Sequence, residues 1–249
     1  MKLEDAAEDD YICDMLNISN DDDPIDAEPK KRVGEKAINN FYQHYKDLNK
    51  VCDQNSTCKV KDSVYTGMLN YCETKKILPS KCGVIKTNGS SKTLNLRNFM
   101  LGGKYMGIVA EGIRRTDYDI IDCRNNRLRP KGAKRLISSF KFTHKDINLS
   151  KNRLGRSTNL LNPILTAPDT RLQFLNLDKN YIGDIAGNEL LVTLVSNKNL
   201  KSLHLNDNQF TDKIADKLAD LLFNHNHLSE IYLRWNCLTS FGGKKIFSV

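Results

Sequence analysis

Three histidines have a spacing that could hold a metal ion. His225 and His227 are separated by one residue, and His204 precedes them in the chain. A zinc site needs three or four ligands that converge on one point, and no fourth ligand accompanies these three. The periodic pattern of the chain places His204 on a strand and the other two after a helix, so their side chains should diverge. We therefore expect no metal ion and no cofactor.

The chain contains no motif of a catalytic site. It lacks the G-x-S-x-G nucleophile elbow, the G-x-x-x-x-G-K-S/T phosphate loop and the H-E-x-x-H zinc motif. We therefore expect that the protein is not an enzyme and that its charged and aromatic residues serve binding.

A basic cluster is the strongest candidate for binding. Residues 104–156 contain fourteen Lys and Arg against five acidic residues. Four arginines follow two equivalent asparagines: Arg127 and Arg129 after Asn126, and Arg153 and Arg156 after Asn152. We expect these four, named the arginine rim, to lie side by side and to bind an acidic protein surface, since guanidinium groups pair with carboxylates in a bidentate manner. The alternative is an ordinary solvated face.

Three residues near the C-terminus form a second candidate. Tyr232, Arg234 and Trp235 lie within four positions, and Tyr, Trp and Arg are the residue types enriched at binding hot spots. They could instead cover the last structural unit. Nucleic acid is not expected as a partner, because aromatic residues are not interleaved with the basic residues as stacking platforms.

One eight-residue phrase, which recurs six times, determines the expected fold. Each copy alternates apolar and polar residues as a short strand does, and then leaves the strand at its sixth position. The copies are 94–101, 121–128, 147–154, 175–182, 203–210 and 231–238. Residues beside the apolar positions, such as Thr93, Asn95 and Arg97 and their equivalents, should form the exposed face of a sheet.

The sixth position of the phrase is asparagine in five of the six copies. Its short amide can bond to backbone groups that the turn leaves unpaired, so a ladder of amides should run along the array. The first copy has Phe99 instead, which fits a terminal unit without a neighbour. The ladder residues are Asn126, Asn152, Asn180, Asn208 and Asn236.

Segments of helical periodicity separate the phrases. The clearest, 212–222, has apolar residues at i, i+4, i+7 and i+8, the pattern of a helix buried on one side. Pro130 suits the first turn of a helix, whereas Pro163 predicts a short or kinked helix. Strand and helix therefore alternate over residues 91–249, which predicts an α/β solenoid of about six repeats.

The repeated phrase resembles the leucine-rich repeat family pattern L-x-x-L-x-L-x-x-N-x-L. The spacing between copies is similar to that of the ribonuclease-inhibitor-like class. The segment 71–85 also resembles the stretch that precedes the repeats in ciliary and centrosomal leucine-rich proteins. This resemblance implies a cytoplasmic protein-binding scaffold or adaptor in a larger complex, with cytoskeletal or ciliary assembly as its setting. The class also includes small-GTPase activators, so regulation of an enzyme is the alternative.

The N-terminal part differs in composition from the repeats. Residues 1–28 carry eleven acidic residues and one lysine, whereas the whole chain has a net charge of +8. We expect a disordered acidic tail over 1–29 and a helical cap over 30–90, with helices over 33–50 and 60–73 covering the first repeat. No polar capping repeat follows the sixth copy, so further sequence or another surface should cover that end.

Membrane association and export are not expected from the sequence. No window approaches the roughly 18 uninterrupted apolar residues of a spanning helix. The acidic start lacks the apolar stretch of a secretory signal, and seven scattered cysteines are typical of reduced thiols. These features predict a cytoplasmic location.

Overall fold

The computed structural model describes residues 39, 43, 64–75, 92–224 and 227–248. The predicted acidic tail and the predicted helix over 33–50 lie outside these residues, apart from Asn39 and Gln43. The second predicted cap helix is present as α1, and all of the described residues belong to the compact unit Gly34–Val249.

Strands and helices alternate through the described chain. The strands are β1 Thr93–Asn95, β2 Ile120–Asp122, β3 Asp146–Asn148, β4 Phe174–Asn176, β5 Ser202–His204 and β6 Glu230–Tyr232. The helices are α1 Val64–Thr74, α2 Gly102–Arg114, α3 Arg129–Ile137, α4 Asn162–Thr166, α5 Asp184–Val195, α6 Ala215–Asn224 and α7 Ser240–Phe247. Two 3₁₀ helices, Gly155–Leu161 and Asp212–Ile214, precede α4 and α6. In the described ranges, no helix has the length and apolar character needed to span a bilayer.

The six strands form one parallel sheet in sequence order. Leu94 pairs with Ile121, and the same phrase position pairs at each later step, through Leu203 with Ile231. Equivalent positions of successive phrases therefore pair with each other in the sheet, as the repeat spacing predicts. The six parallel strands alternating with helices confirm the α/β class and are consistent with a leucine-rich-repeat-type solenoid.

The core lies between the sheet and the helices. The apolar residues of each phrase point to this side, and Leu94, Leu96, Ile121 and Leu175 are fully buried. The helical segments of successive repeats contact each other, with the 3₁₀ helix Gly155–Leu161 as the neighbour of α3, and they close one side of the sheet. The alternate strand residues are half-buried or exposed on the other side, named here the sheet face.

Helix α1 packs against α2 and extends the core at the N-terminal end. Met68, Leu69 and Cys72 are buried, and Met68 and Cys72 join the main apolar cluster. Helix α1 ends at Thr74, and the Thr74 hydroxyl donates to the backbone oxygen of Asn70 at 2.8 Å. The first repeat therefore has an apolar neighbour on the side where the sheet begins.

The two prolines have the predicted effects on the helices. Pro130 lies in the first turn of α3, where its missing N–H costs nothing. Pro163 lies at the start of the five-residue helix α4, and the preceding turn is a 3₁₀ helix. The fourth repeat therefore begins after a short, broken helical segment.

The asparagines of the phrase connect successive repeats. The Asn152 amide nitrogen donates to the backbone oxygens of Cys123, one repeat earlier, at 3.0 Å and of Leu149 at 2.9 Å. Its amide oxygen accepts from the backbone N–H of Asn126 at 2.8 Å. Asn180 and Asn208 repeat this arrangement. Each of these amides therefore satisfies buried backbone groups of two repeats.

Two ways of leaving the strand divide the array. In the first three repeats, the residue three positions after the ladder position has a left-handed φ: Gly102 at 60°, Arg129 at 52° and Gly155 at 49°. In the fifth and sixth repeats the equivalent residues, Thr211 and Thr239, are extended and cap the following helix. The six phrases are therefore alike as strands but differ in the turns that follow.

A second ladder, which the sequence analysis missed, joins the last three turns. The Asp184 carboxylate accepts from the backbone N–H and the hydroxyl of Thr211, both at 2.7 Å. Asp212 accepts from the same groups of Thr239 at 2.8 and 2.5 Å. The two aspartates, and likewise the two threonines, are 28 residues apart in the sequence, and this recurrence could have predicted the second ladder. Hydrogen bonds from Thr239 hold the pKa of Asp212 below its usual value.

Candidate protein-binding face

The sheet face presents a row of aromatic rings on its last three strands. The centroids of Phe174 and His204 are 5.0 Å apart, and those of His204 and Tyr232 are 4.2 Å apart. Tyr232 is directly opposite His204 in the strand register. Rings in contact lose less freedom on binding than isolated long side chains do, so this row is a preorganised contact surface.

Polar groups fix the edge of this aromatic row. Asp178 Oδ2 is 3.9 Å from His204 Nδ1, and Asp178 Oδ1 accepts from the backbone N–H of Asn206 at 2.6 Å. The Asn206 side-chain oxygen accepts in turn from the backbone N–H of Arg234 at 2.8 Å. The loops that follow β4, β5 and β6 are thereby tied together, and the backbone that carries Arg234 is fixed.

A shallow pocket lies on the other half of the sheet face. Its volume is about 210 Å³, and it is lined by residues of β2, β3 and β4: Ile120, Ile121, Asp122, Asp146, Asn148 and Phe174. Ile120, Asp146 and Phe174 occupy the same strand position in three successive repeats. In this row, the Asp146 carboxylate therefore lies between two apolar side chains.

The two carboxylates of this pocket differ in their partners. Asp122 Oδ2 accepts from Arg124 Nε at 3.1 Å and from Arg124 Nη2 at 2.9 Å. Burial raises the pKa of Asp146, the nearby Lys145 opposes this effect, and the Asp119 charge adds to it. The Asp146 carboxylate is thus the less stabilised of the two anions.

Two of the rim arginines occupy equivalent positions. Arg127 and Arg153 each follow a ladder asparagine, and both have a left-handed φ, of 53° and 57°. Met100 and Tyr181 extend this row on either side, with exposed fractions of 54% and 48%. The row therefore combines two guanidinium groups with exposed apolar surface at both ends, which the sequence analysis did not anticipate.

The other two rim arginines are not equivalent to each other. The backbone N–H of Arg129 donates to the backbone oxygen of Asn152 at 3.1 Å, and the backbone N–H of Gly155 donates in the same way to the backbone oxygen of Asn180 at 2.9 Å. Arg129 therefore corresponds to Gly155, and Arg156 lies one position further, in the 3₁₀ helix. The offset arises because the turn after Asn152 has a glycine where the turn after Asn126 has an arginine.

The C-terminal candidates lie at the end of the sheet. Tyr232 is on β6 and contacts His204, and Arg234 is exposed in the following loop. Trp235 has an exposed fraction of 77% and a left-handed φ of 59°. The core residues of this last repeat, such as Ile231 and Leu233, are only half-buried. Tyr232 therefore continues the aromatic row, whereas Trp235 projects from the turn.

The histidine candidates are only partly within the described residues, among which no group of three His, Cys, Asp or Glu side chains is placed to hold a metal ion. His204 is engaged with Phe174, Tyr232 and Asp178 on the sheet face. His227 follows α6, and His225 lies outside the described residues.

Comparison with known proteins identifies one repeat directly. The leucine-rich repeat family model matches residues 196–219, which include β5 and the Asn208 turn. No curated protein sequence matches the chain at a significant level. The other five strands share the register of the matched one. The match and the sixfold register together support a leucine-rich repeat protein.

Proposed function

We propose that the protein is a non-catalytic scaffold or adaptor that binds another protein through its sheet face and its arginine rim. Leucine-rich repeat domains generally mediate protein–protein interaction. The observation that carries the proposal is the side of the sheet opposite the described helices, where Phe174, His204 and Tyr232 form a continuous row of ring contacts. An array of repeats offers an extended surface of this kind and needs no enclosed catalytic pocket.

The backbone of the rim supports a binding role for its arginines. A left-handed residue with a Cβ costs roughly 1–2 kcal/mol per residue in strain. Arg129 has this conformation where the neighbouring repeats have Gly102 and Gly155, whereas the left-handed φ of Arg127 and Arg153 is shared by the equivalent Met100 and Tyr181. At position 129, arginine therefore stands where glycine would be less strained, which favours a function that needs the charge.

The partner that fits the rim has an acidic surface. The rim carries positive charge in adjacent repeats, and guanidinium groups pair with carboxylates in a bidentate manner. Tyr181 and Met100 at the ends of the row offer apolar contact surface. Tyr and Arg are also common among the residues that dominate binding energy at interfaces. Tyr232, Arg234 and Trp235 form a second contact region at the end of the sheet face.

The cellular setting of this proposal comes from the sequence resemblance. A ribonuclease-inhibitor-like repeat array with a prefix similar to those of ciliary and centrosomal proteins favours membership of a larger cytoplasmic complex, in cilia or the cytoskeleton. The same class includes activators of small GTPases, which is the second function to test. Adding the protein to small GTPases should leave their rate of GTP hydrolysis unchanged, whereas an increase would favour the activator function.

Affinity capture with charge-reversed variants tests the scaffold proposal. Wild-type protein and Arg127→Glu/Arg153→Glu are used to capture partners from native cytoplasm over a series of salt concentrations, with an axonemal fraction run alongside. We expect the double variant to lose the partners. Capture by the wild type should weaken as the salt concentration rises, because salt screens the attraction between exposed charges, whose range is about 8 Å at physiological ionic strength.

A matched control separates the rim from net charge. Lys198→Glu/Lys213→Glu makes the same charge change at two exposed lysines of the later repeats. This control should capture partners as the wild type does. If the two double variants capture equally well and the salt response is flat, the rim is a solvated surface and the proposal is wrong for this site.

A further inference from the structure

The pocket on β2–β4 places a carboxylate in a setting that favours its neutral form. Asp146 lies between Ile120 and Phe174 in the strand register, and all three line the same pocket. An apolar environment disfavours a charge unless an opposite charge or hydrogen bonds compensate for it. The raised pKa of Asp146 is consistent with this environment.

The polar groups around Asp146 are engaged elsewhere. Lys145 Nζ is 3.1 Å from Asp119 Oδ2, and the Asp122 carboxylate is paired with Arg124. The Asn148 side-chain oxygen accepts from the Ser150 hydroxyl at 2.8 Å. Among the described residues, none makes a hydrogen bond or an ion pair with the Asp146 carboxylate. Within that part of the chain, the pocket therefore presents one carboxylate without a partner.

We propose that this pocket binds an arginine or lysine side chain of a partner protein, with an adjacent apolar residue of the same segment lying along the aromatic row. The proposal rests on the protein-binding function and specifies the chemistry recognised at the sheet face. The Asp146 carboxylate pairs with the cationic head, while Ile120 and Phe174 contact the aliphatic stem, as apolar surfaces commonly do for long basic side chains. The Phe174 ring also offers a face for a cation.

The dimensions and connections of the pocket fit this occupant. The pocket is a shallow groove of about 210 Å³ that opens on the sheet face, so an extended side chain can enter it from outside. Phe174 belongs both to the pocket and to the row that continues through His204 to Tyr232. A segment bound in the pocket can therefore continue across three strands on preorganised rings.

The pocket and the rim select opposite charges. The rim presents guanidinium groups in the turns, whereas the pocket presents a carboxylate on the strands. A partner that satisfied both would need a basic and apolar segment beside an acidic surface. This difference would fix the orientation of the bound partner as well as add affinity, because a partner bound in the reverse orientation would place like charges next to each other.

Peptide selection tests the pocket directly, because it requires no purified partner protein. A phage library of random peptides is selected on wild-type protein, Asp146→Asn and Asp169→Asn. Asp169 is exposed in a loop outside the sheet, so its variant makes the same charge change away from the pocket. We expect peptides with a basic residue next to an apolar residue to be enriched on the wild type and on Asp169→Asn, and to be lost on Asp146→Asn.

Synthetic versions of an enriched peptide make the result quantitative. The peptide should bind Asp146→Asn about tenfold more weakly than the wild type, as expected for the loss of one charge-assisted contact. Replacing its basic residue by neutral citrulline or norleucine should weaken binding to the wild type similarly, and should have little further effect on Asp146→Asn. Phe174→Ala should also weaken binding. Thermal unfolding of each variant checks that it is folded.

The outcomes distinguish this inference from the function on which it rests. If peptides bind wild type and Asp146→Asn equally, or need no basic residue, the pocket assignment is wrong while protein binding by the sheet face stands. If no peptide is enriched on any of the three proteins, and the rim experiment also shows no partner, the scaffold function itself is contradicted.

Discussion

The first three repeats and the last three use the same strand phrase but leave the strand differently. In the first half, left-handed residues make the turn, and none of the helices α2, α3 and the 3₁₀ helix before α4 has a side-chain cap. In the second half, Asp184 and Asp212 bond to threonines of the next repeat, and Thr211 and Thr239 cap the helical segments.

This difference separates two uses of polar residues in one architecture. In the second half, the carboxylates of the turns are engaged in contacts between repeats and stabilise the array. In the first half the turns carry Arg127, Arg129 and Arg153, and the repeats are joined there by the asparagine ladder that both halves share. The comparison teaches that one repeat position can serve two purposes: its polar residues join repeats in the second half, and it carries the basic residues of the rim in the first.

The largest expected effect concerns the ladder that both halves share. Asn180→Ala should strongly lower the free energy of unfolding, since each buried backbone group left unpaired costs roughly 1–3 kcal/mol and the Asn180 amide satisfies groups of two repeats. Asn176→Ala is the control, because that side chain lies on the sheet face and, among the described residues, bonds only to the backbone N–H of Asp178 in its own loop. Urea unfolding of both variants measures the difference; equal midpoints would show that the ladder is not structural.

A second change tests how closely the helices of the first half pack. A Cβ at Gly132 would lie 2.8 Å from the Gly103 backbone, so Gly132→Ala must push α2 and α3 apart. We expect a loss of roughly 1–3 kcal/mol, as is usual for overpacking. Gly183 in the second half has open space and an extended φ of −91°, so Gly183→Ala should be nearly neutral. Comparable losses in thermal unfolding would mean that the helix spacing does not limit the first half.

The halves should also differ in their response to mild acid. His144, in the first half, is buried with Nδ1 2.6 Å from the backbone oxygen of Tyr118, and burial lowers its pKa below the usual 6.5. Its stabilising contribution is complete above pH 6.5 and is lost as the pH falls from 6.5 through the folded-state pKa, because the unfolded chain takes up the proton first. Urea unfolding at pH 7.5 and 5.5 measures this loss, which His144→Gln should reduce. A pH response that is the same in His144→Gln would assign it to another group.

The smallest expected effect lies in the second half at lower pH. The folded-state pKa of Asp212 is below 3.8, so its contribution is complete above pH 3.8 and disappears as the pH falls through the folded value. Asp212→Asn should therefore unfold more easily than the wild type at pH 7, and the difference should shrink below pH 3.8. A difference that is constant with pH would indicate a role of shape rather than charge.

The sequence predicts the strands better than it predicts the turns. The apolar alternation around Leu94, Ile121 and Leu175 is local, so it specifies the strands, their register and the buried side independently of the rest of the chain. The turns depend on contacts between repeats. The equivalence of Arg129 and Gly155 is visible from their backbone hydrogen bonds to the next repeat, and the Asp212 carboxylate accepts from Thr239 of the next repeat. Such contacts can be predicted only once the three-dimensional register of the repeats is known.

The candidate site is predicted in part for the same reason. The exposed strand positions follow from alternation, so Tyr232 can be placed on the sheet face from sequence. The pocket at Asp146 can be recognised only when the side chains of three strands are placed together. The ring contacts of His204 depend on how the side chains of His204 and its neighbours are oriented. The sequence shows which residues are exposed, but not which of them meet.

Site-specific photo-crosslinking tests most directly whether the sheet face and the rim contact the partner. A benzophenone amino acid replaces one exposed aromatic residue at a time: Tyr181 beside the rim, Tyr232 on the sheet face, and Phe223, 71% exposed on helix α6, as the control. Each protein is irradiated with the captured partner and analysed for covalent adducts. We expect adducts from positions 181 and 232 and none from position 223. Adducts from position 223 alone would place the partner on the helices and contradict binding through the sheet face and the rim.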